Sequence, residues 1–396
     1  MLTARCFSTW LQWLRGCLAA PSRLFRGWPP AKRAPRGCSA AMVPTLLLLP
    51  VLAAASLAAD CDNQAVSAGL LQSSRWTHTS SVSPAIGLVK THKTAGSTLS
   101  VIFERLALHL NRSILLPTCE DPSHLGYPDA FPGEAVEKLH GGPRHQFDMV
   151  LHHAVFNKTS FNAYLRPAPF FVSILRDPSS HVVSVYNFFR KRVTPRWGSI
   201  DDFISYLKAA RQERPVPRYV NFHAHDLGFY EAGYTPNASS REVKEFVSTL
   251  LPSFSLPTGL MMMTEFFDEG LILLKTRLNL PLSAVSYYSM KTNHKSYEYP
   301  SDHQLQQMLQ LASNIDLQVY PIFNQSFASA WQMRTAAMDE ELTWLKARNE
   351  ALNASCHVSE TEPPCAKEFT VDSDCVDYDD MRMRLGIAAC EKKPCQ

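Results

Sequence analysis

Residues 85–108 constrain this chain most. Ala85-Ile86-Gly87-Leu88-Val89 reads as an apolar strand. Lys90-Thr91-His92-Lys93-Thr94-Ala95-Gly96-Ser97-Thr98 reads as a short turn, and Leu99 to Leu108 carries a helical pattern. A strand that passes into a helix through small hydroxylated residues leaves the first helical N–H groups unpaired and facing the turn, where the helix dipole favours negative charge. That arrangement suits a phosphate or sulfate. The alternative is a solvated, lysine-rich turn capped by Thr94 or Ser97. The segment is not a P-loop, which places its lysine late, after a glycine and before the magnesium-binding hydroxyl. Here Lys93 precedes the small residues and Gly96 alone interrupts the helix start.

The 396 residues, 45% hydrophobic and 19% charged, suffice for one large domain or two small ones. The net charge of +3 arises largely before residue 40, from Arg5, Arg15, Arg23, Arg26, Lys32, Arg33 and Arg36, and no acidic residue precedes Asp60. The remainder is close to neutral, which gives no footprint for nucleic acid. Residues 40–59 contain no charged side chain, about the 20 residues that a bilayer span needs. With arginines on its N-terminal side, this segment is expected to be a signal-anchor, leaving residues 1–39 cytosolic and the rest luminal. A cleaved leader starting at Met42, with Ala53-Ala54-Ala55 as its small-residue site, is the competing reading, and Pro44 and Pro50 weaken the anchor.

Five Asn-x-Ser/Thr sequons, at Asn111, Asn157, Asn237, Asn324 and Asn353, all follow the apolar segment and agree with a secretory compartment. So do the cysteines. Cys61, Cys119, Cys356, Cys365, Cys375, Cys390 and Cys395 make an odd set of seven beyond the apolar segment. Disulfides are expected there, with one thiol left free or pairing two chains as a homodimer. No cysteine spacing matches a zinc site. Residues 60–83 read as a polar stem, residues 84–352 as the folded domain, and residues 353–396 as a Cys-rich tail.

Within the domain, apolar strands at 85–90, 147–152, 170–176 and 258–264 alternate with amphipathic helices at 97–110, 179–191, 200–211, 241–250, 266–278 and 302–313. A charged helix follows at 334–352. The alternation predicts an α/β fold with a central parallel sheet and helices on both faces. Phe170 to Leu175 form a second buried strand that stops at Arg176-Asp177-Pro178, where Asp177 is a natural N-cap and Pro178 fits the first helical position. Arg176 at the strand end and Ser184 two turns into the helix can reach one anion, and the planar guanidinium fork suits phosphate. The competing reading pairs Arg176 with Asp177 or another carboxylate and lets Ser184 merely pack.

Taken together, the Lys-Thr turn and the later strand–Arg-x7-Ser–helix resemble the two donor-binding elements of sulfotransferases. The resemblance sharpens to the galactose 3-O-sulfotransferases, including galactosylceramide sulfotransferase, whose first site looks like Leu-Lys-Thr-His-Lys-Thr-Ala-Ser-Ser-Thr. It extends to His124-Leu125-Gly126-Tyr127-Pro128, Asp226-Leu227-Gly228-Phe229 and Glu265 to Leu274, and covers roughly residues 84–352. Gly96 departs from the family's usual serine, and the tail after Cys356 looks unlike the family's.

The resemblance implies a P-loop-like sulfotransferase fold, a Golgi membrane location and the donor 3′-phosphoadenosine-5′-phosphosulfate, with no metal. Its acceptor would be the 3-hydroxyl of a β-galactose ending a glycolipid or glycan. Lys93 would stabilise the leaving phosphate, with Thr94, Ala95, Gly96, Ser97 and Thr98 supplying donors to the phosphosulfate, and Arg176 and Ser184 would hold the 3′-phosphate. His153 matches the histidine of the family's Asn-His-x-x-Phe and would be the general base, with His152 at the asparagine position. Lys291 and Asn293 resemble a Lys-x-Asn segment that closes over donor or acceptor, although exposed loops of this composition are common. Lys90 either joins the site or points away to solvate the strand end. Trp197, Tyr186 and Phe222 could stack on a sugar, but read better as core or rim aromatics. A sulfotransferase for another sugar position, such as a glycosaminoglycan uronic acid, and a non-catalytic nucleotide- or glycan-binding relative are the rival readings.

Overall fold

The computed structural model describes residues 84–118, 121, 123–143, 145–190, 192, 197–211, 219–288 and 297–355. The cytosolic tail, anchor and stem expected over 1–83, the Cys-rich segment beyond Ser355, and Lys291 with Asn293 lie outside these residues. No helix among the described residues is long and apolar enough to cross a membrane.

In chain order the elements are β1 (Ile86–Val89), α1 (Gly96–His109), β2 (Ile114–Leu115), α2 (Glu134–His140), β3 (Met149–Val150), α3 (Lys158–Tyr164), β4 (Phe170–Leu175) and α4 (Pro178–Phe189). They continue with α5 (Ile200–Ala210), α6 (Phe222–Asp226), α7 (Ser240–Leu250), β5 (Gly259–Met263), α8 (Phe267–Leu278), α9 (Asp302–Ala312), α10 (Asp316–Gln332) and α11 (Ala336–Ser355). The five strands form one sheet in the order β2-β3-β1-β4-β5. Every pairing is parallel, with Ile86 opposite both Met149 and Phe170, and Phe171 opposite Gly259. β1, β3, β4 and β5 are buried along their whole length, as a parallel sheet covered on both faces requires. The sheet core joins Leu88, Val172 and Met262 to Phe103 of α1, Ile272 of α8 and Phe323 of α10. A second cluster packs α4, α5 and α9 through Val182, Tyr186, Phe203, Leu207 and Met308.

The strand order places the site. From β1 the chain builds outward to β2 and β3, then crosses β1 to add β4 and β5 on the other side. β1 therefore sits at the point where the winding reverses, and the crevice beyond the carboxyl ends of its flanking strands is the ligand position of such sheets.

The predicted strands and helices are all present, with β3 cut to two residues. Elements not anticipated have physical reasons for being silent. α2 buries only Val136 and so shows no apolar stripe, and α6 has five residues, too few for a helical period. α10 carries Pro321 inside its span, a residue that normally argues against a helix interior. There Pro321 faces solvent, while Val319, Phe323 and Phe327 repeat every fourth residue on the buried side. Truncating Phe323 to Ala should cost about 3–5 kcal/mol, measured by chemical denaturation. A cost below about 1 kcal/mol would show that α10 is not part of the core.

Candidate active site

The loop after β1 is held from three directions. Thr91 Oγ1 donates to the Ile174 carbonyl at the end of β4. Thr94 Oγ1 bonds back to the Thr91 carbonyl at 3.1 Å. Thr264, just past β5, lies 3.0 Å from both the Thr94 and Leu175 carbonyls. The Asp226 carboxylate accepts the His92 backbone N–H at 2.8 Å and its ring Nδ1–H at 3.0 Å. His181 Nε2–H of α4 donates to the His92 carbonyl at 2.8 Å. These ties hold Lys93 and Ala95 in the left-handed region, at φ 61° and 67°, where non-glycine residues pay a steric cost.

Ala95 is the N-cap of α1 and supplies no side-chain bond to it, so the first turn keeps its N–H groups for another acceptor. The capped-turn alternative fails for this reason. Thr94 spends its hydroxyl on Thr91, and the cap position belongs to an alanine. Gly96 and Thr98 are buried, Ser97 is half-buried and Ala95 is exposed.

Lys90 is 2% exposed, which excludes the reading in which it solvates the strand end. Its stem crosses the start of α1. A Cβ at Gly96 would stand 3.1 Å from Lys90 Cγ and 3.1 Å from the Thr91 carbonyl oxygen, so the departure from serine matches the close passage of this buried lysine. Lys93 turns the other way and sets its ammonium 3.8 Å from the centre of the Phe188 ring of α4.

The second half of the site follows β4. Asp177 caps α4 by accepting from Ser179 and Ser180 N–H at 2.9 and 3.3 Å. Arg176 forms no ion pair with it. The guanidinium instead donates to Ser180 Oγ at 2.9 Å and lies 3.4 Å from the Lys93 carbonyl, linking the loop after β1 to α4. Ser184, 2% exposed, is one helical turn beyond Ser180 on the same face. Arg176 thus contacts Ser180, one turn nearer the strand than Ser184.

His153 follows β3. Its Nδ1 lies 2.8 Å from the Lys90 carbonyl. A carbonyl can only accept, so Nδ1 carries the proton and Nε2 keeps its lone pair. Burial lowers the His153 pKa well below 6.5, and the His92, Lys90 and His124 side chains push it the same way. The ring is therefore a neutral base. It stacks on His92 at 3.8 Å between centroids, with His124 5.5 Å away. His92 also packs on Tyr127 and Phe222, each at 4.6 Å. Phe222, Tyr186 and Trp197 are buried, in keeping with core aromatics.

Four further residues belong to this constellation: His92, His124, Tyr127 and Asp226. The sequence signalled each only as part of a family-like segment, because the pairing of His92 with Asp226 spans 134 positions. β1, β3 and β4 thus bring Lys93, His153 and Arg176 to one end of the sheet.

An open parallel α/β sheet with an uncapped helix start, two cationic side chains and a neutral histidine at its switch point is a site suited to an anionic group. The galactose-3-O-sulfotransferase family model matches residues 38–367, wider at both ends than the motif-based match. The chain belongs to that family. It is 27% identical over 288 residues to mouse (Mus musculus) galactose-3-O-sulfotransferase 2, covering 70% of this chain and 71% of that one. Mouse galactosylceramide sulfotransferase is 26% identical over 279 residues, 68% of this chain and 63% of that one. Human (Homo sapiens) galactose-3-O-sulfotransferase 2 is 26% identical over 277 residues, 68% and 67% of the two chains.

The His153 geometry is open to a direct check by NMR. Its ring resonances should show the Nδ1–H tautomer at pH 7 and stay unchanged as the pH falls through 6.5, because a lowered pKa keeps the ring neutral there. A titration midpoint at or above 6.5 would contradict the assignment.

Proposed function

We propose that this protein transfers sulfate from 3′-phosphoadenosine-5′-phosphosulfate to the 3-hydroxyl of a terminal β-galactose in a glycolipid or glycan. The observation that carries the reading is the convergence of the uncapped α1 start, Arg176 and a neutral His153 at one sheet end, in a chain of this family. The donor fits these residues. The amides of Gly96, Ser97 and Thr98 face the 5′-phosphosulfate. Arg176 holds the 3′-phosphate with Ser184 and with the Ser180 hydroxyl that it already contacts.

Sulfuryl transfer, like phosphoryl transfer, is largely positioning and charge stabilisation. As the bridging oxygen leaves, negative charge grows on the 5′-phosphate, and Lys93 meets that charge by moving off the Phe188 ring. The acceptor hydroxyl gives its proton to His153 Nε2 as its oxygen bonds to sulfur. Lys90, buried beside Gly96, adds positive charge close to the loop. Lys291 and Asn293, whose segment resembles the family's Lys-x-Asn, contact the donor or the acceptor. No step calls for a metal.

The same reading makes the protein a single-pass type II Golgi membrane enzyme with its catalytic domain luminal. Support comes from the charge-free residues 40–59, the arginines before them and the sequons that follow. Asn111, Asn157 and Asn237 are exposed, as glycan acceptors must be.

Incubating the protein with radiolabelled donor and a panel of galactosylceramide, β-galactosyl disaccharides and heparan precursors should label only the galactose-terminated acceptors. Label confined to heparan precursors, or to none, would overturn the reading. His153→Ala should lower turnover about 10²–10⁴-fold while leaving donor affinity within about threefold. Arg176→Ala removes charge-assisted bonds of about 1.5–3 kcal/mol and should weaken donor binding about 10–100-fold. Equal donor affinity in wild type and Arg176→Ala would place the nucleotide elsewhere.

A further inference from the structure

Behind the donor loop lies a cluster that the transfer chemistry does not use. His181 of α4, His223 of α6 and Asp316 at the start of α10 are all buried, at 1%, 1% and 0% exposure. One ligand atom from each lies within 4.8 Å of the others. The His181 and His223 rings face each other at 3.9 Å between centroids, with their planes 37° apart.

Neither ring nitrogen of His223 has a hydrogen-bond partner. An imidazole always carries at least one N–H, so a buried ring without partners costs about 1–3 kcal/mol per unsatisfied group. The two neighbours are prepared differently. His181 spends Nε2–H on the His92 carbonyl, which leaves Nδ1 with a lone pair. Each Asp316 oxygen accepts one backbone N–H, from His223 at 3.2 Å and Ala224 at 2.9 Å, and retains a second lone pair. A histidine whose other nitrogen donates to a backbone carbonyl, beside a carboxylate oriented by amides, is the outer-shell arrangement of metal ligands.

We propose that His181, His223 and Asp316 bind one divalent transition-metal ion of the zinc class, which ties α4, α6 and α10 together beneath the donor loop. Two imidazoles and a carboxylate are a donor set for zinc, with a fourth position left for water or a carbonyl. Ligand distances of about 2.0–2.2 Å put the donors roughly 3.3–3.5 Å apart. The side chains must therefore close in by up to about 1.4 Å and turn to converge. Asp226 and Arg176 flank the cluster with opposite charges, so the pocket is not a cationic one. Through His181 the ion would also brace the His92 carbonyl and thereby the loop that carries Lys93. The site is independent of whether the enzyme moves sulfate, and its test reads no transfer.

The test takes the detergent-solubilised full chain, strips it with chelator and titrates it with zinc against a chromophoric competitor. The wild type should take up one equivalent more than His223→Phe, which keeps a flat ring of similar size and removes both nitrogens. Zinc at about 100-fold over its Kd should raise the wild-type melting temperature by about 5 °C or more and leave His223→Phe unmoved. Cobalt should give visible absorption bands in the wild type alone. If His223→Phe does not fold, the wild-type melting shift and cobalt spectrum decide. Equal zinc uptake in the two proteins, or a wild type whose melting temperature ignores both zinc and chelator, would overturn the proposal.

Discussion

One buried carboxylate organises the loop at the carboxyl end of β1. Asp226, fully buried, grips His92 by backbone and ring together, at the point where β1 gives way to its loop. Charge-assisted bonds of this kind are about twice as strong as neutral ones, and here they offset the left-handed turns at Lys93 and Ala95. Without such a grip a non-glycine loop would relax toward ordinary backbone angles. The α1 amides would then no longer face the crevice. Asp226 ends α6, whose first turn is itself held by Asp316, so the loop is referenced to α10 as well as to the sheet.

The same loop fixes the histidine that faces it. The Lys90 carbonyl sets the His153 tautomer, the His92 ring supports its face, and burial among basic side chains keeps it neutral. His153 and the loop after β1, far apart in sequence, are therefore one mechanical unit. Gly96 belongs to that unit. It is the position at which the buried Lys90 stem passes the helix start, which explains a departure that looks conservative on paper.

How far the sequence could be read follows from the range of each interaction. Strand and helix identities were legible wherever apolar periodicity ran long enough, as in β4, β5, α1 and α8. They were illegible where the pattern was short, as in α6, or broken by Pro321 in α10. In the site, the Lys93 turn and the capped Arg176-Asp177-Pro178 corner were legible because each is local chemistry. The His92–Asp226 clamp, the Arg176–Ser180 contact and the stacking of His92 on His153 were not. They join distant positions or depend on which of two nearby serines a side chain reaches, and only the assembled sheet decides that.

If the ends of β1, β3 and β4 form one catalytic crevice with His153 Nε2 at the acceptor, a crystal structure of the protein with 3′-phosphoadenosine-5′-phosphate and a β-galactosyl disaccharide will show it. The 5′-phosphate should then lie on the Gly96–Thr98 amides, the 3′-phosphate on Arg176, and the galactose 3-hydroxyl within hydrogen-bond distance of His153 Nε2. A nucleotide bound away from the α1 start, or an acceptor hydroxyl that meets a group other than His153, would contradict it.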